Sequence, residues 1–211
     1  RHVVITAGPT REPICPVRYI SNRSSGKMGY ALAEACVNAG AKTTLISGPV
    51  NCPAVDGVHF IPVETTQEMH DASLLAAATA DIFIGAAAVV DFKPESVASQ
   101  KIKRDGVAEM DLRLVPNPDI ITAVSNGASR PSLVVGFAAE TENVKEYALH
   151  KLTKKSLDYI FANDVSDASI GFDSDRNAGV LIGQNGNIEM PISTKRVLAE
   201  AIIGELSLHL D

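Results

Sequence analysis

A chain of 211 residues with 45% hydrophobic content can bury one substantial core, so a single domain spanning residues 1–211 is the expectation. The formal charge of -6, with no block of lysine and arginine, argues against nucleic acid as a partner, and no run approaches the roughly 18 apolar residues of a membrane span. The three cysteines, Cys15, Cys36 and Cys52, are too few and too irregular for a disulfide framework or a four-ligand zinc site, which points to a reducing cytoplasm. The start at Arg1 has no signal-peptide layout, and the missing initiator methionine suggests a processed chain or a domain excised from a longer one.

In chain order, His2–Ala7 is the first expected strand, a continuous apolar run of the kind covered on both faces of a parallel sheet. Residues 8–25 read as irregular. Met28, Ala31, Leu32, Ala35 and Cys36 then repeat at helical spacing, which assigns Cys36 to the core, and Gly40 stands where a left-handed residue ends a helix. Strands are expected at Lys42–Ser47 and 58–63. Thr65 and Glu68 have capping-box spacing ahead of a helix running toward Ala78. A strand at 82–90 and an irregular stretch at 91–107 follow. Asn117, Pro118 and Asp119 read as cap, first helical residue and acidic first turn. After a strand at 133–138, Asn143 and Glu146 repeat the capping-box spacing before a helix through Lys155, and a strand covers 159–165. This alternation implies right-handed crossovers and an α/β, Rossmann-like, doubly wound, mostly parallel sheet. The tail differs: runs at 179–182 and 188–192 flank Asn185 and Gly186, a C-terminal β-hairpin signal, and a final helix covers roughly 195–210.

In such a sheet, ligands sit outside the carboxyl ends of the strands, where helix amino termini hold anions. Residues 8–29, GPTREPICPVRYISNRSSGKMG, follow the first strand and enter a helix. Ser24, Ser25, Gly26 and Lys27 put hydroxyls, unhindered backbone and a cation at its positive end, which suits a phosphate; ordinary capping and turn chemistry is the rival reading. Ser21 and Met28 occupy places where a Walker A loop needs glycine and a hydroxyl, and G-x-G-x-x-G is missing too. The five histidines, His2, His59, His70, His150 and His209, are scattered, and no protein metal cage is expected.

PVRYISNRSSGKMG closely resembles the signature of phosphopantothenoylcysteine synthetases, the ligase half of the bacterial bifunctional coenzyme A enzymes. GAAAVVDF at 85–92, KIKR at 101–104, NPDII at 117–121, VVGFAAET at 134–141 and ANDV at 162–165 continue the resemblance in order over essentially the whole chain. It implies a ligase that joins 4'-phosphopantothenate to cysteine and cleaves CTP to CMP and pyrophosphate through an acyl-cytidylate, with Mg2+ on the phosphates. It also implies a homodimer and fusion to a flavin-dependent decarboxylase.

By the same resemblance, Asn22 holds the activated acyl carbonyl as an oxyanion donor does, and Lys101 closes a mobile positive charge over the phosphates. Gly85, Ala86 and Ala87 are the nucleotide-contact stretch, small enough for close approach to the backbone, with Ala88 joining Ser24, Ser25, Gly26 and Lys27 around substrate or phosphate. Asp91 faces ribose hydroxyls. Pro118, Asp119, Ile120, Ile121 and Phe137 complete the base pocket, and Lys151 with Lys155, four apart on one helical face, converge on the polyphosphate. Read without the resemblance, Asn22 is a turn residue, 85–88 packs under a helix, 101–104 is a solvated loop, Phe137 is core, and both later lysines are solvated. One departure stands out: the family usually has aspartate where this chain has Cys15, so a contact such as one to Arg18 is altered. Two other classes remain open, an NAD(P)-dependent reductase, which lacks its glycine fingerprint and Tyr/Lys relay here, and a noncatalytic nucleotide-binding module.

Overall fold

The computed structural model describes residues 1–104, 106, 109–140, 144–164, 174–184 and 186–210, with backbone alone for 140, 144 and 164. In chain order its elements are β1 (His2–Ala7), β2 (Arg11–Cys15), β3 (Arg18–Ser21), α1 (Lys27–Asn38), β4 (Lys42–Ser47), β5 (Val58–Pro62), α2 (Thr66–Ala77), β6 (Ile82–Gly85), β7 (Phe92–Pro94) and β8 (Leu114–Pro116). They continue with α3 (Ile120–Ser125), β9 (Leu133–Glu140), α4 (Val144–Lys154), β10 (Tyr159–Asp164), β11 (Arg176–Gly183), β12 (Gly186–Thr194) and α5 (Lys195–Ser207).

Among the described residues, eight strands form one sheet in the order β12-β11-β10-β9-β6-β1-β4-β5. Pairing is parallel from β5 through β10, and β11 and β12 add antiparallel at one edge. This is the doubly wound, Rossmann-like α/β sheet with a C-terminal hairpin and helix.

The apolar runs follow from burial on both faces. Side chains alternate across a strand, so Val3, Ile5, Ile82 and Ile84 pack against Leu32, Cys36, Leu198 and Ile202 of α1 and α5. Val4, Phe83, Val134 and Ile160 point the other way, toward Met69, Val124, Ala148 and Leu152 of α2, α3 and α4. Phe83 is fully buried, and truncating such a side chain costs about 3–5 kcal/mol. Thr65 caps α2 in a complete box with Glu68, and Gly40, at φ 81°, supplies the left-handed residue after α1.

Several boundaries differ from the sequence expectation. Residues 8–25 contain the antiparallel hairpin β2–β3, and within 91–107 Phe92–Pro94 pairs with β8. β6 stops at Gly85 instead of reaching residue 90, because the chain turns away: the Ala88 N–H bonds Gly8 O at 2.9 Å, and Asn22 takes the Ala88 and Val89 carbonyls. Asn117 does not cap α3. Asp119 does, accepting from the Thr122 N–H at 3.2 Å, while the Asn117 amide donates to Val90 O at 2.8 Å and Thr66 Oγ1 at 3.2 Å. α5 ends at Ser207. The Asn143 capping box, Val165 and the Asn185 turn position lie outside the described residues. No helix of the described residues is long and apolar enough to cross a membrane.

Candidate active site

From β1 the chain proceeds to β4 and β5 on one side and returns to β6, β9 and β10 on the other. At that reversal the connections leave toward opposite faces and open a crevice at the carboxyl ends of the strands. A cavity of about 440 Å³ occupies it. One wall belongs to the face of α3 and α4 and carries Pro118, Asp119, Ile120, Ile121, Lys151 and Lys155; the wall on the face of α1 and α5 carries Ser24, Ser25, Gly26, Lys27 and Lys195. Asn22, Gly85, Ala86, Ala87, Ala88, Asp91 and Phe137 line the space along the strand ends.

Local chemistry places each group. Asn22 follows β3, and its amide donates to Val89 O at 2.8 Å and Ala88 O at 3.3 Å, which aligns it with the small-residue stretch. That stretch hangs from β1 through the Ala86 N–H to Thr6 O at 3.2 Å. Beneath it lies a buried polar network. The Val90 N–H donates to Thr10 Oγ1 at 3.0 Å, Thr10 bonds Thr66 Oγ1 at 2.9 Å, and the Thr66 N–H donates to the buried Glu12 carboxylate at 2.8 Å. Network members this buried and mutually bonded resist displacement, so the loop carrying Asp91 has a fixed base.

Asp119 holds both a helix and a lysine, with Oδ2 3.0 Å from Lys155 Nζ. Burial pushes its carboxyl up, but the bonds from Lys155 and Thr122 outweigh this and leave it below the usual range. Phe137 is half-buried, tilted against Phe161 at 5.2 Å, and shows one side to the cavity. Gly26 adopts φ 75° at the head of α1, a conformation costly for other residues, and brings the helix amino terminus to the cavity. Among the described residues, no group of three or more histidines, cysteines or acidic residues is arranged to hold a metal.

Every residue singled out from the sequence lines this cavity except Lys101. Lys101 is exposed, on a segment strapped to the β2–β3 hairpin: Arg18 donates to Ile102 O at 3.0 Å, and the Ala98 N–H bonds Ile14 O at 3.0 Å. Sequence alone does not point to Asn177 or Lys195 as lining residues, and Asn117 and Asn163 stand out only as parts of NPDII and ANDV. The one available signal for Lys195 is a cation in the first turn of a helix, where the dipole opposes it.

A family model described as DNA/pantothenate metabolism flavoprotein C-terminal domain matches residues 1–209. The chain belongs to this family. Among relatives of this C-terminal domain, the coenzyme A biosynthesis bifunctional protein CoaBC of Vibrio vulnificus is 48% identical over 207 residues, covering 98% of this chain and 52% of that protein. CoaBC of Escherichia coli is 46% identical over 212 residues, covering 100% and 52%. The chain thus spans about half the length of the curated relatives it matches. The crystal structure of the C-terminal domain of a CoaBC protein superposes with a TM-score of 0.84 at 36% identity, covering 99% of this chain and 95% of that one.

Proposed function

We propose that this domain is a phosphopantothenate-cysteine ligase of coenzyme A biosynthesis. It joins 4'-phosphopantothenate to cysteine and cleaves CTP to CMP and pyrophosphate through an acyl-cytidylate. The supporting observation is the single crevice in which Asn22, the small stretch Gly85–Ala88, two carboxylates and cations on opposite walls converge, in a chain related along its length to CoaBC proteins.

The cytosine lies against Phe137 and the 118–121 turn, whose backbone reads its hydrogen-bonding edge. Asp91 meets the ribose hydroxyls. Lys151 and Lys155 take the polyphosphate. The substrate carboxylate attacks the α-phosphate; a P–O bond forms as the bridge to the β-phosphate breaks, and pyrophosphate leaves. Lys101 swings in on its segment to offset that developing charge. The cysteine amine then attacks the acyl carbon, whose oxygen Asn22 holds by turning one amide N–H from the longer bond to Ala88 O; the amide bond forms, CMP leaves, and the ammonium sheds its proton. Mg2+, when bound, neutralises phosphate charge. It would sit mainly on phosphate oxygens and water, since Asp91 is given to the ribose and Asp119 is engaged by Lys155.

We further infer a homodimer, supported by exposed apolar side chains on the two small hairpins: Val17 and Tyr19 on one, Phe92 and Leu114 on the other. A flavin-dependent decarboxylase domain in the same natural chain and a cytoplasmic location complete the reading.

Pyrophosphate release from CTP, 4'-phosphopantothenate and cysteine tests it, with NADPH titration as control. Asn22→Asp should still release pyrophosphate once per site but slow the cysteine step by about 10²–10³-fold. Lys101→Gln should suppress pyrophosphate release itself. Equal defects of both variants in both steps would refute this division, and NADPH binding without pyrophosphate release would favour a reductase.

A further inference from the structure

Lys195 is only 6% exposed, sits at the first position of α5, and lines the cavity. Burial penalises its charge, and the positive end of the helix dipole penalises it again. Lys27 occupies the matching first position of α1, which packs beside α5, and the buried Asn177 lines the same space, its Oδ1 accepting from the Ala178 N–H at 2.9 Å. Two helices thus each begin with a lysine at one corner of the cavity, where an anion would relieve both penalties and be little screened.

We propose that Lys195, with Lys27 and Asn177, is a phosphate-binding corner of the cavity, distinct from the Lys151 and Lys155 wall. The inference rests on the ligase reading. Its ligand is a doubly charged phosphate, either the terminal phosphates of the nucleotide or the 4'-phosphate of the acyl substrate.

The groups facing this corner fit an exchange. Asp175 Oδ1 lies 2.7 Å from Lys27 Nζ, and the Lys195 N–H holds the Asp175 carbonyl at 2.9 Å while its ammonium donates to Ser174 O. The Asp175 side chain is 85% exposed, so its ion pair is weakly held. An entering dianion displaces it from Lys27, while the buried Lys195 stays in place. Cys52 does not oppose the anion, because burial pushes its thiol up despite both lysines and keeps it neutral.

The test is calorimetric titration of CTP, CMP, 4'-phosphopantothenate and pantothenate into wild type, Lys195→Met and Asp175→Asn. Lys195→Met should weaken CTP or 4'-phosphopantothenate about tenfold or more, with CMP or pantothenate within about twofold. Whichever phosphorylated ligand suffers names the source of the phosphate. Asp175→Asn, an exposed change that the fold tolerates, should tighten that same ligand about two- to fivefold by removing its competitor. Wild-type affinities for both phosphorylated ligands in Lys195→Met, or weaker binding by Asp175→Asn, would overturn the corner. Failure of wild type to bind either ligand would instead overturn the ligase reading itself.

Discussion

At Cys15 a thiol occupies the position where the resemblance leads one to expect a carboxylate, and its neighbours treat it as an anion. Bonds from the Ile102 and Val17 N–H groups lower its pKa, burial opposes them, and Arg18 at 3.9 Å lowers it again, to about 7 from an ordinary 9.0. Burial pushes Cys36 up to about 12 and raises Cys52 as well. Thiolate absorbance appearing near pH 7 should therefore belong to Cys15 alone and vanish in Cys15→Ala; a first thiolate near pH 9 would contradict this environment. A folded pKa below the unfolded one adds stability that is complete above about pH 9 and disappears as pH falls through about 7. The gap in denaturation midpoint between wild type and Cys15→Ala should widen across that window. Because Ile102 neighbours Lys101, the same thiolate fastens the segment bearing the proposed catalytic cation.

Among the elements, α2 carries more than its own stability. Thr65 and Glu68 close its first turn reciprocally, and the next residue, Thr66, anchors the network beneath the Asp91 loop. Thr65→Ala should cost about 1 kcal/mol in urea unfolding, and an unchanged midpoint would show that the cap contributes nothing. This capping box was legible in the sequence, as were β1 and β4, whose uninterrupted apolar runs have one physical explanation. The β2–β3 hairpin was not. Its buried position Glu12 is a carboxylate satisfied by a distant N–H, which inverts the apolar pattern that marks a strand. Asn117 misled for a related reason: an asparagine before Pro-Asp has cap chemistry, but tertiary bonds to Val90 and Thr66 claim its amide first. Apart from Lys101, the candidate site residues quoted in motif blocks converge on one cavity. Lys195 stayed hidden because only folding brings the last helix beside the first.

For the whole molecule, the reversal of strand order opens one crevice that would serve both proposed half-reactions. Residues from both faces of the sheet meet only at its crest, so a nucleotide can lie across the strand ends with cations on either wall. The exposed apolar hairpins add a second expectation, a dimer in light scattering that Tyr19→Glu shifts toward monomer; a wild-type monomer with full activity would contradict it. The Lys101 segment lies against one of those hairpins, outside the cavity. To reach the phosphates, the segment must move when nucleotide binds. A crystal structure with CTP is the most direct measurement. Cytosine against Phe137 and the 118–121 turn, with the Lys101 ammonium bonded to a phosphate oxygen, is the predicted result. Nucleotide bound elsewhere, or phosphates in this crevice with Lys101 still turned away, would contradict it.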